Sequence, residues 1–191
     1  VTEGGDASTP AHRYPAVFEQ LMKARYLKAA IAVEAVAVGG SNSRQWLYPE
    51  RYKTNNPRID WQRVVAAKPD VVSVEFVNDA GLTPDDVKSV YMEIQTRVAA
   101  LGAELILITP HFTMMPWMKL ESLHETRDQR PYVVALRQFS RDHKIALADA
   151  SARWEHLWKE GLPYVTLLKN GINHPEDRGH RLFAEELLKC F

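Results

Sequence analysis

The stretch Asp70-Val71-Val72-Ser73-Val74-Glu75-Phe76-Val77-Asn78-Asp79 decides how this chain is read. It is a Val-rich run that stops on two polar residues. A short apolar run of β-branched residues closing on a turn reads as a strand buried on both faces, the situation of a parallel sheet. Three other runs follow the same pattern. Residues 29–38 (Ala-Ala-Ile-Ala-Val-Glu-Ala-Val-Ala-Val) end at Gly39-Gly40, residues 104–109 (Glu-Leu-Ile-Leu-Ile-Thr) at Pro110, and residues 145–148 at Asp149. Between the second and third runs the spacing predicts a helix. Thr83 caps it, Pro84 fills its first turn and Asp86 completes a capping box. Val87, Val90, Tyr91, Ile94, Val98 and Leu101 then mark one face at intervals of three and four. Residues 14–27, about 130–143, about 151–160 and 177–190 also read as helices. Alternating strand and helix predicts an α/β fold, a parallel sheet with helices on both faces. No internal repeat, linker or low-complexity tract interrupts the 191 residues, which suit one domain.

Lys plus Arg number 24 and Asp plus Glu number 24, so no charge excess recruits nucleic acid or an anionic membrane. No apolar stretch approaches the roughly 20 residues that span a bilayer. The single cysteine, Cys190, excludes an internal disulfide framework and a Cys-rich zinc site. It leaves the compartment open. The chain opens on Val1 rather than Met, as it would after removal of an upstream leader, and a secreted or periplasmic location is expected ahead of a cytoplasmic one.

Ligands of such sheets bind beyond the carboxyl ends of the strands. Here those ends carry Gly39-Gly40-Ser41-Asn42-Ser43, Asn78-Asp79, Thr109-Pro110-His111 and Asp149. Asn78 either points its amide into the crevice or joins Asp79 in an Asx turn before Gly81. Gly39-Gly40 is a tight turn, or a place where a backbone amide faces a ligand. Arg44, Gln45 and Trp46 follow directly and offer contacts to a polar substrate. Residues 110–127 form a long insertion. Its Met114, Met115, Trp117 and Met118 either line an acyl pocket or sugar platform or pack beneath a loop. His174 alone is a weak signal. With His180, Glu176 and Asp177 it raises a metal possibility, but a His-x5-His spacing matches no good ligand ladder. No metal or other cofactor is expected.

Taken in order, residues 36–43, 70–79 and 170–184 (Asn-Gly-Ile-Asn-His-Pro-Glu-Asp-Arg-Gly-His-Arg-Leu-Phe-Ala) resemble the SGNH, or GDSL, hydrolases across essentially the whole chain. The resemblance implies a three-layer α/β/α domain over residues 1–191. Its sheet would be mostly parallel, five-stranded and flavodoxin-like. It also implies that Gly40 and Asn78 are oxyanion donors and that His174 is the general base. Asp79, Arg44 and Trp117 are the expected substrate contacts.

The family's first motif, Gly-Asp-Ser followed by an aliphatic residue and Thr, should open the domain. Val1-Thr2-Glu3-Gly4 resembles its remainder, so the nucleophilic Ser is expected immediately before Val1. Ser8, in Gly5-Asp6-Ala7-Ser8, is rejected because no strand precedes it and only six residues separate it from the helix at Tyr14. In the family the strand before the nucleophile lies between those read here at 29–38 and 70–77. The chain is therefore expected to be a piece of a longer polypeptide, with the preceding segment as its partner. Two departures remain. The family's acid stands three residues before the His, where this chain has Gly171, next to Asn170. A backbone carbonyl, Asp177 or Asp149 would then orient His174, or a Ser-His dyad would act alone. Phe76 stands where the family often has Gly. The expected activity is hydrolysis of acyl esters, preferably acetyl esters of a carbohydrate. A general short-chain carboxylesterase and an inactive glycan-binding domain are the alternatives.

Overall fold

The computed structural model describes residues 1–118 and 128–191, so residues 119–127 of the expected insertion lie outside the described residues. Three parallel strands, β1 (Val71–Val74), β2 (Glu104–Ile108) and β3 (Ala146–Ala148), form one sheet in the order β1-β2-β3. The register pairs Val72 with Leu105 and Ile106 with Ala146. Among the described residues eight α-helices surround it: α1 (Tyr14–Arg25), α2 (Ser43–Leu47), α3 (Gln62–Ala67), α4 (Pro84–Ala100), α5 (Met115–Met118), α6 (Pro131–His143), α7 (Ala150–Lys159) and α8 (Asp177–Leu188). Short 3-10 turns cover Pro10–His12, Val77–Asp79 and Tyr164–Leu167.

The alternation of side chains along β2 creates the three layers. Leu107 points to one face, where it joins Val74 and the apolar stripes of α4 (Val87, Val90, Tyr91, Ile94, Val98) and α6 (Val133, Leu136, Phe139). Ile106 and Ile108 point to the other, against Ala148, Tyr14 and Phe18 of α1, and Phe183, Ala184 and Leu187 of α8. There the Tyr14 and Phe183 rings stack at 5.5 Å. Successive residues of a strand face opposite sides, so a run apolar at every position fits only between two helical layers.

The helix expected after residue 82 begins as its sequence dictates. Thr83 Oγ1 accepts from the Asp86 amide at 3.2 Å and Asp86 Oδ2 accepts from the Thr83 amide at 3.1 Å. Helix α6 ends where Lys144 turns left-handed, at φ 54°. A third cluster of Phe112, Met118, Trp154, Tyr164 and Leu167 fills the end of the molecule beyond β3.

Among the described residues the sheet has three strands, and the run at 29–38, expected as a strand, is not one of them. Among these residues, no backbone hydrogen bond joins 30–37 to any other main-chain segment. A strand needs a neighbour about 4.8 Å away. Here a cavity of about 640 Å³ intervenes, lined on one side by Ile31, Val33 and Val36 and on the other by Val72 and Val74. Extended apolar sequence without a hydrogen-bonding partner stays irregular.

Leu107 has no exposed surface, so truncating it removes apolar contacts and leaves a cavity under α4 and α6. Leu107→Ala is expected to lower unfolding free energy by about 2–5 kcal/mol, read as a fall in the urea midpoint at unchanged slope.

Candidate active site

Within the first six residues, Thr2, Glu3, Gly5 and Asp6 contact the segments that carry Asn78, Gly40 and His174. The Gly4 amide donates to Val1 O at 2.7 Å, closing a turn. On one side of it, Thr2 Oγ1 bonds the Tyr14 hydroxyl at 2.9 Å and donates weakly to Glu75 Oε2 at 3.5 Å. The Glu3 carboxylate accepts from the Gly39 amide and pairs with Arg58 at 2.7 Å. On the other side, Gly5 packs flat on His174, where even a Cβ would come within 3.4 Å of Nδ1. Asp6 Oδ2 then meets His174 Nδ1 at 2.8 Å.

Asn78 sits in the 3-10 turn that follows β1. Its Nδ2 donates one hydrogen to Ser41 O at 3.0 Å. A primary amide has two such hydrogens, so the other is available to an incoming oxygen. Gly40 is left-handed, at φ 79°, with open space where a side chain would be. Its amide donates to no acceptor among the described residues. The loop carrying Gly40 is held by Asp79, whose two oxygens are both occupied: Ser43 N donates to Oδ1 at 3.0 Å and the Tyr91 hydroxyl to Oδ2 at 2.9 Å. Asp79 is 2% exposed. It faces inward as a clamp between α4 and the 40–43 loop, with both oxygens held by protein donors. Burial raises its carboxyl above the usual range, the Ser43 and Tyr91 bonds opposing this. Burial raises the Tyr91 hydroxyl still further from its ordinary value, aided by Asp79.

The other expected contacts divide. Arg44 pairs with Asp86 and lies over the Tyr52 ring, 5.5 Å from its centre. Those partners draw it toward the start of α4. Trp46 is buried and donates to Ser41 Oγ at 2.9 Å, so it belongs to the loop's interior. Trp117 is 53% exposed on α5. It stands near the His174 loop because the Met114 amide, just before α5, donates to Ile172 O at 2.6 Å.

His174 lies on a loop that Asn170 organises. Asn170 Oδ1 accepts from the amides of Ile172, Asn173 and His174 at 2.9, 3.0 and 3.0 Å. Gly171, at φ 65°, makes the turn. Leu168 and Pro175 form an antiparallel bridge at the loop's base. Below it Gly179 is in close contact, since a Cβ there would meet Pro175 at 2.8 Å and Leu167 O at 2.9 Å. The Asn173 carbonyl accepts from His111 Nε2 at 2.9 Å, and Gly5 O from His180 Nε2 at 3.4 Å. Each imidazole must carry its proton on Nε2 to donate to a carbonyl. Both rings are fully buried, and burial holds His111 far below the usual histidine value and His180 down to about 4. Two neutral histidines thus fasten the two segments that meet at His174.

The carboxylates expected to orient His174 are engaged elsewhere. Asp149 pairs with Arg137 at 2.8 Å and accepts from Thr109. Burial pushes its carboxyl up, but the Arg137 guanidinium wins and holds it low. Asp177 accepts from the Ser8 hydroxyl at 2.6 Å and pairs with His12 at 2.9 Å. Asp6 makes the contact instead, 168 residues from His174 in sequence. The only signal for it was indirect, a missing acid at 171 beside an unassigned Gly-Asp turn. Among the described residues no cluster of three His, Cys, Asp or Glu could hold a metal ion, and no helix is long and apolar enough to cross a membrane.

The chain belongs to the GDSL-like lipase/acylhydrolase family, whose pattern it matches over residues 1–182. It is thereby a carboxylic ester hydrolase by class. Among solved structures it resembles an acetylxylan esterase from Geobacillus stearothermophilus, at TM-score 0.71 and 19% identity, over 100% of this chain and 89% of that one. An alpha/beta hydrolase enzyme from the metagenome of Lake Arreo, Spain, matches at TM-score 0.69 and 20% identity, over 98% and 86%. A two-domain esterase active on acetylated mannans matches at TM-score 0.71 and 16% identity, over 99% of this chain and 45% of that one. Among curated proteins no sequence matches. At these identities the likeness carries the α/β fold alone.

Two measurements check the site's construction. Asp79→Ala strands the Ser43 amide and the Tyr91 hydroxyl and is expected to cost about 1–3 kcal/mol for each buried group left unpaired. Asp79→Asn, which keeps an acceptor for one and a donor for the other, should stay close to the parent in chemical denaturation. His180 is neutral when folded and takes up a proton on unfolding at any pH between about 4 and its ordinary 6.5. Its contribution to stability is therefore present above 6.5 and lost as pH falls toward 4. Over that interval, a plot of unfolding free energy against pH should be shallower in His180→Gln, by up to about 1.4 kcal/mol per pH unit.

Proposed function

We propose that this protein is a serine esterase that removes acetyl groups from a carbohydrate. The single observation that carries the reading is a set of unused valences around one turn. His174 Nε2, the second Asn78 amide hydrogen and the Gly40 N–H have no partner among the described residues. An imidazole acceptor and two N–H donors left free together fit acyl transfer.

The nucleophile of this reading is a serine joined directly to Val1, on a strand occupying the cavity between 30–38 and β1. The lining supports this, with Ile31, Val33 and Val36 from the first segment and Val72 and Val74 from β1. The turn at Val1–Gly5 supports it too, because it runs from Gly39 to His174. His174 takes the serine proton at Nε2 while the oxygen attacks the ester carbonyl, and passes that proton to the departing alcohol. The charge that builds on the carbonyl oxygen is met by Gly40 N–H, the Asn78 amide and the serine's own amide. Water then repeats the cycle and releases acetate.

A carbohydrate substrate is favoured by Trp117. It is exposed close to the His174 loop, and Ile172, two residues before the imidazole, is 41% exposed beside it. A flat indole at a crevice mouth suits the apolar face of a sugar ring. The solved structures that resemble this chain include esterases for acetylated xylan and mannan, in keeping with that choice.

The test uses the full-length polypeptide. Acetate release from acetylated xylo- or manno-oligosaccharides should exceed hydrolysis of p-nitrophenyl acetate in kcat/KM. Equal or reversed values would mark a general short-chain carboxylesterase. No turnover and no fluorophosphonate labelling would mark a glycan-binding domain. Asn78→Ala is expected to lower kcat about a hundred- to a thousandfold with little change in KM. His174→Ala should lose at least as much.

A further inference from the structure

We propose that Asp6 is the positioning residue for His174, the carboxylate that fixes the imidazole's tautomer and offsets its charge from the far end of the chain. This inference rests on the reading of His174 as general base and deepens it.

Asp6 Oδ2 lies 2.8 Å from Nδ1, and Nε2 is left for the nucleophile. An acceptor on one ring nitrogen decides where the neutral ring carries its proton. With the proton on Nδ1, the lone pair is on Nε2, the form that can accept from a hydroxyl.

The segment that presents Asp6 is built to hold it there. Asp6 itself is left-handed, at φ 63°. Non-glycine residues adopt that conformation at a cost, which Asp and Asn bear best. The turn is fastened on both sides. The Gly5 carbonyl accepts from buried His180, and the Ser8 amide and hydroxyl donate to Asp177 at 2.8 and 2.6 Å. Asp177 opens α8, just beyond the loop that carries His174. The two halves of the pair are therefore referenced to one another through Ser8–Asp177 as well as through their own contact.

Position 171, where an acid would otherwise stand, is a glycine at φ 65° whose turn is closed by Asn170. Asp149 is turned away toward Arg137. That leaves Asp6 as the carboxylate at the ring. Both partners are about two-fifths exposed, 45% for the His174 side chain and 40% for Asp6. A pair so open to water contributes little to folding. Its effect is on which nitrogen holds the proton.

The decisive variants are made in the full-length polypeptide and assayed on an acetylated oligosaccharide. Asp6→Asn keeps the shape and the left-handed preference but removes the charge. It is expected to lower kcat about a hundredfold or more while KM stays within about threefold. Asp6→Gly relieves the backbone and should lose as much, so strain is not the cause. Asp6→Glu should recover at least about tenfold over Asp6→Asn. Nitrogen-15 chemical shifts of neutral His174 should report protonated Nδ1 in the parent and a mixture of tautomers in Asp6→Asn. Near-parental kcat in Asp6→Asn or Asp6→Gly, or an unchanged tautomer, overturns the proposal. A parent without turnover, or a His174→Ala variant as active as the parent, sinks the esterase reading instead; the tautomer measurement still tests the Asp6 contact in either case.

Discussion

Everything in this molecule is arranged around a strand that has to be dry on both sides. β2 hydrogen-bonds to β1 and β3 and sends Leu107 one way and Ile106 and Ile108 the other. Neither face of such a strand tolerates water, so α4 with α6, and α1 with α8, are drawn in to cover it. That covering fixes which ends of the strands meet solvent together. Asn78 follows β1, Thr109 and His111 follow β2, and Asp149 follows β3. The candidate site sits at that rim, on the residues that follow the strands.

How much was legible depended on range. The capping box at Thr83 and Asp86 and the six-residue stripe of α4 are local signals; the structure keeps the box and buries five of the six, Leu101 falling at the C-cap. The run at 29–38 carried the same kind of signal, yet forms no strand here, because a strand is defined by its neighbour and not by its own composition. Asn78, Gly40 and His174 were legible only as an ordered set. The partners of Asp79 were not legible, since nothing near it in sequence announces the Ser43 amide and Tyr91 hydroxyl that enclose it. Asp6 was invisible for the same reason, its partner being almost the whole chain away.

Asp128 and Arg130, the one ion pair with both partners almost fully buried among the described residues, is also the most heavily bonded. The guanidinium reaches Asp128, Pro110 O and His111 O, and Asp128 also accepts from Ser151. It ties the loop after β2 to the starts of α6 and α7. His111 and His180, by contrast, are buried as neutral rings that donate to carbonyls. Neutral donors position backbone without setting a competing charge beside His174.

Gly179 sets a limit on how this architecture can be reused. With Pro175, Leu167 O and the Trp154 ring all closing on the space a Cβ would take, helix α8 is seated against α7 and the 164–168 turn with no clearance for a methyl group. The histidine loop is thus anchored to three pieces of chain at once. Anyone grafting the His174 loop onto another scaffold would have to transplant α7, the turn and α8 as one block, since the helix alone would arrive without the surface that aims it.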